Sequence, residues 1–277
     1  MECQKLWERS EDWLKYAVGI RLCRMPAEAL AEQKKAALAD ERIRAYLRDV
    51  ARFHETLVSN HKNPALPAQK LLFLLDLGFG TEVPEIHTAV GEILKHQDEN
   101  GVYQSLANFP VHFGGTGRDT FTWCLCDAPW LLLALIRAGV EYERYIKKGV
   151  DHLASLCRDN GFPCAVSREA GKFRGPGRKD DCCPYATLIM AELLAAVPEY
   201  RESAQAKTAA ETLMYLWAHS YEQHPYMFFT GRDFRKLKAP SGWYDVVSVA
   251  GVVSRFPFVF GDPRFQEMIG LIKSKQD

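Results

Sequence analysis

The stretch Gly175-Pro-Gly-Arg-Lys-Asp-Asp-Cys-Cys-Pro-Tyr185 decides how the rest of the chain is read. A glycine-rich turn carrying Arg178 and Lys179 runs through Asp180, Asp181, Cys182 and Cys183 into the apolar run Ala186 to Val197. Glycine and proline punctuate turns, whereas a helix that is apolar on every side is a buried one. Upstream, Gly117-Arg118-Asp119 leads in the same way into the nearly all-apolar stretch Phe121 to Ala138. Downstream, Gly231-Arg232-Asp233 and Trp243-Tyr-Asp245 precede another, ending near Arg255. The spacing of these turns is about 60 residues, and Gly101 to Gly161 repeats it.

Between the apolar runs lie amphipathic ones. Pro84 to Gln97 carries Ile86, Val90, Ile93 and Leu94 on one face, and Tyr142 to Leu156, Arg201 to His219 and Pro263 to Lys273 follow the same rule. A repeat of this length signals helical units that bury their faces against neighbours. The pattern predicts two concentric layers, apolar helices inside and amphipathic ones outside. Before the repeats, residues 2 to 22 and Glu28 to Val58 read as helix, broken at Met25-Pro26, and Ala68 to Leu77 is closed by Gly78. No stretch alternates convincingly with period two. The expectation is an all-α chain forming one domain over residues 1–277, with N-terminal helices to residue 60 and repeated helical hairpins over 61–277.

Composition narrows the partners. Lysine plus arginine equals aspartate plus glutamate at 35 each, so no basic face is implied and nucleic acid is not an expected partner. The longest apolar run, Ala128 to Ile136, is cut by Arg137, well short of a membrane span of about 18 residues. The N-terminus has no apolar signal core, and the default expectation is a cytoplasmic protein. Eight cysteines in a chain of this size are read as small core hydrophobes or as chemistry, not as a disulfide framework. Four of them bunch as Cys124-Leu-Cys126 and Cys182-Cys183.

Two motifs carry a resemblance. Gln97-Asp-Glu-Asn-Gly101-Val-Tyr103 is similar to the Gln-x-x-x-Gly-x-Trp repeat of squalene and oxidosqualene cyclases, with tyrosine for tryptophan. Asp159-Asn-Gly161-Phe162 looks like a degraded second copy. Gly175 to Cys183 resembles the protein prenyltransferase β-subunit segment in which a Gly-Gly-Arg turn precedes the zinc ligands Asp-x-Cys. The chain thus resembles the terpenoid cyclase and prenyltransferase superfamily over most of residues 60 to 277. The resemblance implies an α/α toroid with a central cavity for a mainly apolar, isoprenoid-like small substrate. It also implies zinc held by Asp181 and Cys183, with Asp245 standing 62 residues after Cys183 where that family has histidine. The Asp-x-Asp-Asp motif of squalene-hopene cyclases is absent. Lys275-Gln-Asp277 is similar to Lys95-His-Gln97-Asp98, so the chain either ends there or lacks a last inner helix; an incomplete ring would favour a homo-oligomer.

The candidate residues each carry two readings. Asp181, Cys183 and Asp245 form a three-ligand metal set with an open position, or are helix caps with buried cysteines behind them. Cys182 is a ligand, a nucleophile or core, and Asp181 doubles as an acid or base. Asp127 interrupts an apolar run, so it is a proton donor, or a cap if the helix starts at Ala128 with Pro129 in its first turn. Arg118 and Arg178, with Arg232, bind an anion at the mouths of the inner helices or pair with aspartates in a shared turn. His112 is a general base or ligand on a loop, or incidental. Trp123, Trp130, Tyr185, Trp243 and Tyr244 line an apolar cavity and stabilise cations through their π faces, or pack the core. Two functions follow. One is a cyclase, isomerase, lyase or transferase using acid- or metal-assisted chemistry. The other is a non-catalytic toroid that binds a peptide, lipid or partner subunit.

Overall fold

The computed structural model describes residues 2–58, 66–173, 175, 177–223, 234–237 and 244–275. The helices are α1 Glu2–Arg9, α2 Asp12–Ala17, α3 Ala31–Ala39, α4 Glu41–Ala51, α5 Pro67–Asp76 and α6 Pro84–Lys95. They continue as α7 Ala128–Arg137, α8 Lys147–Ser155, α9 Pro184–Ala196, α10 Ala204–Ala218, α11 Val246–Val253 and α12 Pro263–Lys273. The protein is mostly helical, at 61%, as the repeat pattern predicts.

Packing follows hydrophobicity. The four apolar helices adjoin in succession, α5 on α7, α7 on α9 and α9 on α11. In α9 every residue except Glu192 and Ala196 is buried, which leaves no face for water. The amphipathic helices lie against them: α4 on α5, α8 on α7 and α9, α10 on α9, and α12 on α11 and α10. Their buried residues keep helical spacing, as in Ile43, Leu47 and Val50 of α4 or Ala206, Ala210, Leu213 and Trp217 of α10. Each large side chain so buried contributes about 1.5–3 kcal/mol.

The turns between layers are built from the repeat motif. Asp98 Oδ1 accepts from the backbone N–H of Asn100 (2.8 Å) and Val102 (2.9 Å), which closes the loop. Gln97 Nε2 donates to the carbonyls of Gly101 (3.0 Å) and Tyr145 (3.2 Å), and the Tyr103 hydroxyl donates to Tyr145 O at 2.8 Å. The motif therefore clamps one hairpin onto the start of the next. Gly101 holds φ +82°, a conformation that side chains rarely adopt. Gly161, at φ +103°, is its counterpart one unit on.

Three details differ from the sequence reading. A two-stranded antiparallel sheet, Ser105–Ala107 (β1) with Thr120–Thr122 (β2), sits in the loop before α7. Three residues per strand are too few to display alternation. The helix starts also differ from the apolar runs: α7 starts at Ala128 rather than at Phe121, which lies in β2, and α9 starts at Pro184, two residues before its run. A proline in the first turn, where its missing N–H costs nothing, sets both starts. Finally, Cys3 and Cys23 form a disulfide with Cα atoms 5.6 Å apart, contrary to the reading of all eight cysteines as core or chemistry.

Candidate functional site

The four apolar helices, with Tyr46 of α4, line a cavity of about 310 Å³. Each presents two lining residues seven positions apart: Gln69 and Asp76 on α5, Trp130 and Arg137 on α7, Tyr185 and Glu192 on α9. Ser248 of α11 is followed by Arg255, just past that helix. Seven residues are nearly two turns, so both members of a pair face the same way about 10 Å apart along the axis. Leu72, Phe73, Leu188, Ile189, Val247 and Val252 make the apolar wall between them.

The two ends differ. At one, Gln69, Trp130 and Tyr185 are buried; Gln69 Nε2 donates to the Tyr185 hydroxyl at 3.3 Å, and Trp130 meets Tyr185 edge-on at 5.7 Å between ring centres. At the other, four charges alternate in sign around the opening. Arg137 Nη1 lies 2.6 Å from Asp76 Oδ1, and its Nη2 lies 3.0 Å from Glu192 Oε1. Glu192 Oε1 also faces Arg255 Nη2 at 3.5 Å, while Oε2 accepts from Trp130 Nε1 at 3.1 Å. These partners are 61, 55 and 63 residues apart in sequence, so each repeat unit supplies one charge. Arg21 closes the collar from outside by donating to the carbonyls of Leu75 (2.7 Å) and Asp76 (3.0 Å), the exposed C-terminus of α5. The Cys3–Cys23 disulfide anchors the segment that carries it.

The surroundings of Asp76 shift its titration. Loss of water around it raises its carboxyl above the ordinary value of 3.8, and Glu192 adds to this, while Arg137 pulls the other way. Its side chain keeps 58% of its exposure and lines the cavity. The cavity also meets Lys70, whose ammonium is held by Asp49 and sits 5.2 Å from the Tyr46 ring centre.

The residues expected from sequence divide among several places. Trp130 and Tyr185 line the cavity between the apolar helices. Asp127 is buried at the entry to α7, where Oδ1 accepts from the backbone N–H of Cys124 at 3.2 Å, and it borders a separate void of about 10 Å³. Asp181 and Cys182 line an outer cleft of about 600 Å³ against α10, with Lys207 and Glu211. Trp123 is buried with Nε1 donating to Asp98 Oδ2 at 2.8 Å, and it borders another outer cleft. Tyr244 is buried and stacks on Phe234 at 4.8 Å. His112 is exposed and lies against Phe113, and Arg118 and Arg178 are exposed as well. Trp243 and Arg232 lie outside the described residues.

The expected zinc ligands do not fit a metal. Asp181 Oδ2 accepts from Arg178 N at 3.0 Å, Cys183 Sγ from Ala186 N at 3.5 Å, and Asp245 Oδ1 from Ser248 N at 2.8 Å. Each is turned toward its own turn or helix start. Among the described residues, no group of three His, Cys, Asp or Glu side chains is placed to hold a metal ion. The cysteines instead meet one another: side-chain hydrogen bonds join Cys124 to Cys126 and Cys126 to Cys183. Burial pushes the Cys124 thiol up to about 12, and the Cys124 and Cys126 contacts, with burial, raise those of Cys126 and Cys183.

Asp76, Arg137, Glu192, Arg255 and Gln69 are the site residues that the sequence reading missed. For the four charged ones the signal in the sequence is a lone charge near the end of each apolar run, recurring with the repeat; Gln69 has none. Among the described residues no helix is long and apolar enough to cross a membrane. Comparison with protein-family models, curated proteins and solved structures finds no match to this chain.

Proposed function

We propose that the protein is an enzyme of the terpenoid cyclase and prenyltransferase type, an α/α toroid or open arc of one. It takes a mainly apolar small substrate into the cavity between its inner helices and acts by acid-assisted chemistry. The observation that carries this reading is the convergence of four apolar helices on one cavity with a polar floor and a charged collar. An apolar pocket with a few convergent polar groups and a displaced titration is the ordinary form of an active site. Asp76 is the proton-exchanging group, because its raised carboxyl holds a proton at higher pH than an exposed aspartate. Trp130, Tyr185 and Tyr46 offer π faces to a developing cation. The chemistry is that of a cyclase, isomerase, lyase or transferase, and no step is assigned to a metal.

A second reading, a binding protein without catalysis, is favoured by one fact: Arg137 already engages both Asp76 and Glu192. One experiment separates the two. Purified protein is incubated with prenyl alcohols, their diphosphates and linear polyprenes, and extracts are followed by gas chromatography with mass detection. Products that vanish in Asp76→Asn support the enzyme. Recovery of unchanged ligand bound to the protein supports the binding protein. Neither product nor retention in any extract sinks an isoprenoid substrate or ligand for this cavity.

A further inference from the structure

We infer that the ligand of the cavity between the apolar helices carries both charges on its head group, a carboxylate facing Arg255 and an ammonium facing Asp76, attached to an apolar body. This rests on the reading of that cavity as the binding site, and it adds the chemical class of what enters. The argument begins with the unequal occupancy of the collar. Its middle members are filled: Arg137 bridges Asp76 and Glu192, and Glu192 receives Arg137, Trp130 and Arg255. Its end members are not. Asp76 gives Oδ1 to Arg137, and among the described residues no donor meets Oδ2. Arg255 has five N–H donors and, among the described residues, one side-chain contact, at 3.5 Å.

These two ends belong to the first and last inner segments of the arc, and both stay open to water, at 58% and 40% side-chain exposure. A purely apolar ligand would close over them and strip their water without replacing it, which is unfavourable. A simple anion would suit Arg255 but meet Asp76, and a simple cation would suit Asp76 but meet Arg255. Asp76 and Arg255 lie near enough for the Arg255 charge to act on the Asp76 carboxyl, so a head group with a donor cation and an acceptor anion suits both ends and leaves the two-acid, two-guanidinium collar neutral. An ammonium at Oδ2 also offsets the loss of water that raises the Asp76 carboxyl. Lys70 does not compete for the anion, since Asp49 holds its ammonium. Below the collar, Leu72, Phe73, Leu188, Ile189, Val247 and Val252 take the body. A volume of about 310 Å³ stands at the small end for ligand pockets. An amino acid with a large apolar side chain has this form.

The test compares four probes on the wild-type protein: L-phenylalanine, 3-phenylpropionate (no ammonium), phenethylamine (no carboxylate) and farnesol (neither). Binding is read by calorimetry and by the fluorescence component lost in Trp130→Phe. The expected result is that phenylalanine binds about tenfold or more tightly than either half-analogue. Arg255→Gln then reduces phenylalanine to the level of phenethylamine, and Asp76→Asn reduces it to that of 3-phenylpropionate. A half-analogue within roughly threefold of phenylalanine overturns the two-charge head group. Farnesol changing the Trp130 signal with no response to phenylalanine overturns it too, while leaving the cavity as a binding site. Silence from all four probes overturns the cavity reading together with this inference.

Discussion

A Cβ atom on Gly149 would stand 2.3 Å from the carbonyl oxygen of Gly101, and one on Gly101 would stand 2.9 Å from Gly149 N. The two glycines let the repeat turn sit directly on the backbone of α8, with Gln97 and Tyr103 bonding Tyr145, two residues before that helix. Backbone cannot yield as a flexible side chain does. Gly149→Ala is therefore expected to destabilise the protein by about 1–3 kcal/mol, the usual effect of overpacking. Gly91→Ala is the control, because nothing stands within 4 Å of its Cβ in α6. There the helix gains about 0.5–1 kcal/mol from lost glycine freedom. Thermal melts of the two variants should move in opposite directions, and a shared direction would refute the close contact.

Asp245 separates a cap from a ligand. Its Oδ1 accepts from Ser248 N at the start of α11, and the residue is fully buried. Asparagine caps nearly as well as aspartate, whereas alanine leaves the N–H unmet at a cost of about 0.5–2 kcal/mol. Asp245→Asn should keep most of the melting temperature that Asp245→Ala loses. If the asparagine variant falls as far as the alanine one, the negative charge matters beyond capping.

The helical layers were legible because their cause is local. Apolar runs such as Leu188 to Leu194 and spaced ones such as Ile43, Leu47 and Val50 announce their burial without any partner being known. The motif Gln97 to Tyr103 was legible too, since glycine and aspartate at those spacings make one kind of turn. The site was legible only in part. Trp130 and Tyr185 stood out as aromatics beside apolar runs, and both reach the cavity. Asp127, Asp181 and Asp245 stood out for the same reason, yet they serve helix entries and turns, where a carboxylate finds N–H groups close by. The collar escaped notice because its logic is tertiary. Asp76, Arg137, Glu192 and Arg255 each look like an ordinary charge near a helix end, and only the chain of contacts shows that they alternate.

The Asp76 titration gives a prediction about pH with a definite sign. Its carboxyl lies above 3.8 in the folded protein, so the fold retains that proton at pH values where the unfolded chain has lost it. Wild-type stability then falls as pH rises from about 4 through the folded value. Asparagine has no proton to lose. The melting temperature of Asp76→Asn, taken relative to wild type, should rise between about pH 4 and pH 7. The reverse slope would mean that the Arg137 contact outweighs burial and that Asp76 is an ordinary ion-pair carboxylate.

The cysteines give the last prediction, which bears on the metal and nucleophile readings alike. Six are free, and Cys3 is joined to Cys23. Burial holds Cys124 near 12 and Cys157 and Cys182 near 11; contact with Cys124 and burial lift Cys126, and contact with Cys126 and burial lift Cys183. At pH 8 roughly one Cys124 thiol in ten thousand is ionised, and the thiolate is both the nucleophile and the metal ligand. Native protein should thus react slowly with a thiol-specific disulfide reagent. Denaturant alone should expose six thiols, and denaturant with prior reduction eight. A fast phase of about one thiol in the native state would mark an activated cysteine and return weight to Cys182 as a nucleophile. A fast native phase absent until a chelator is added would instead reveal thiolates masked by metal, contrary to the caps and thiol contacts described for Cys183.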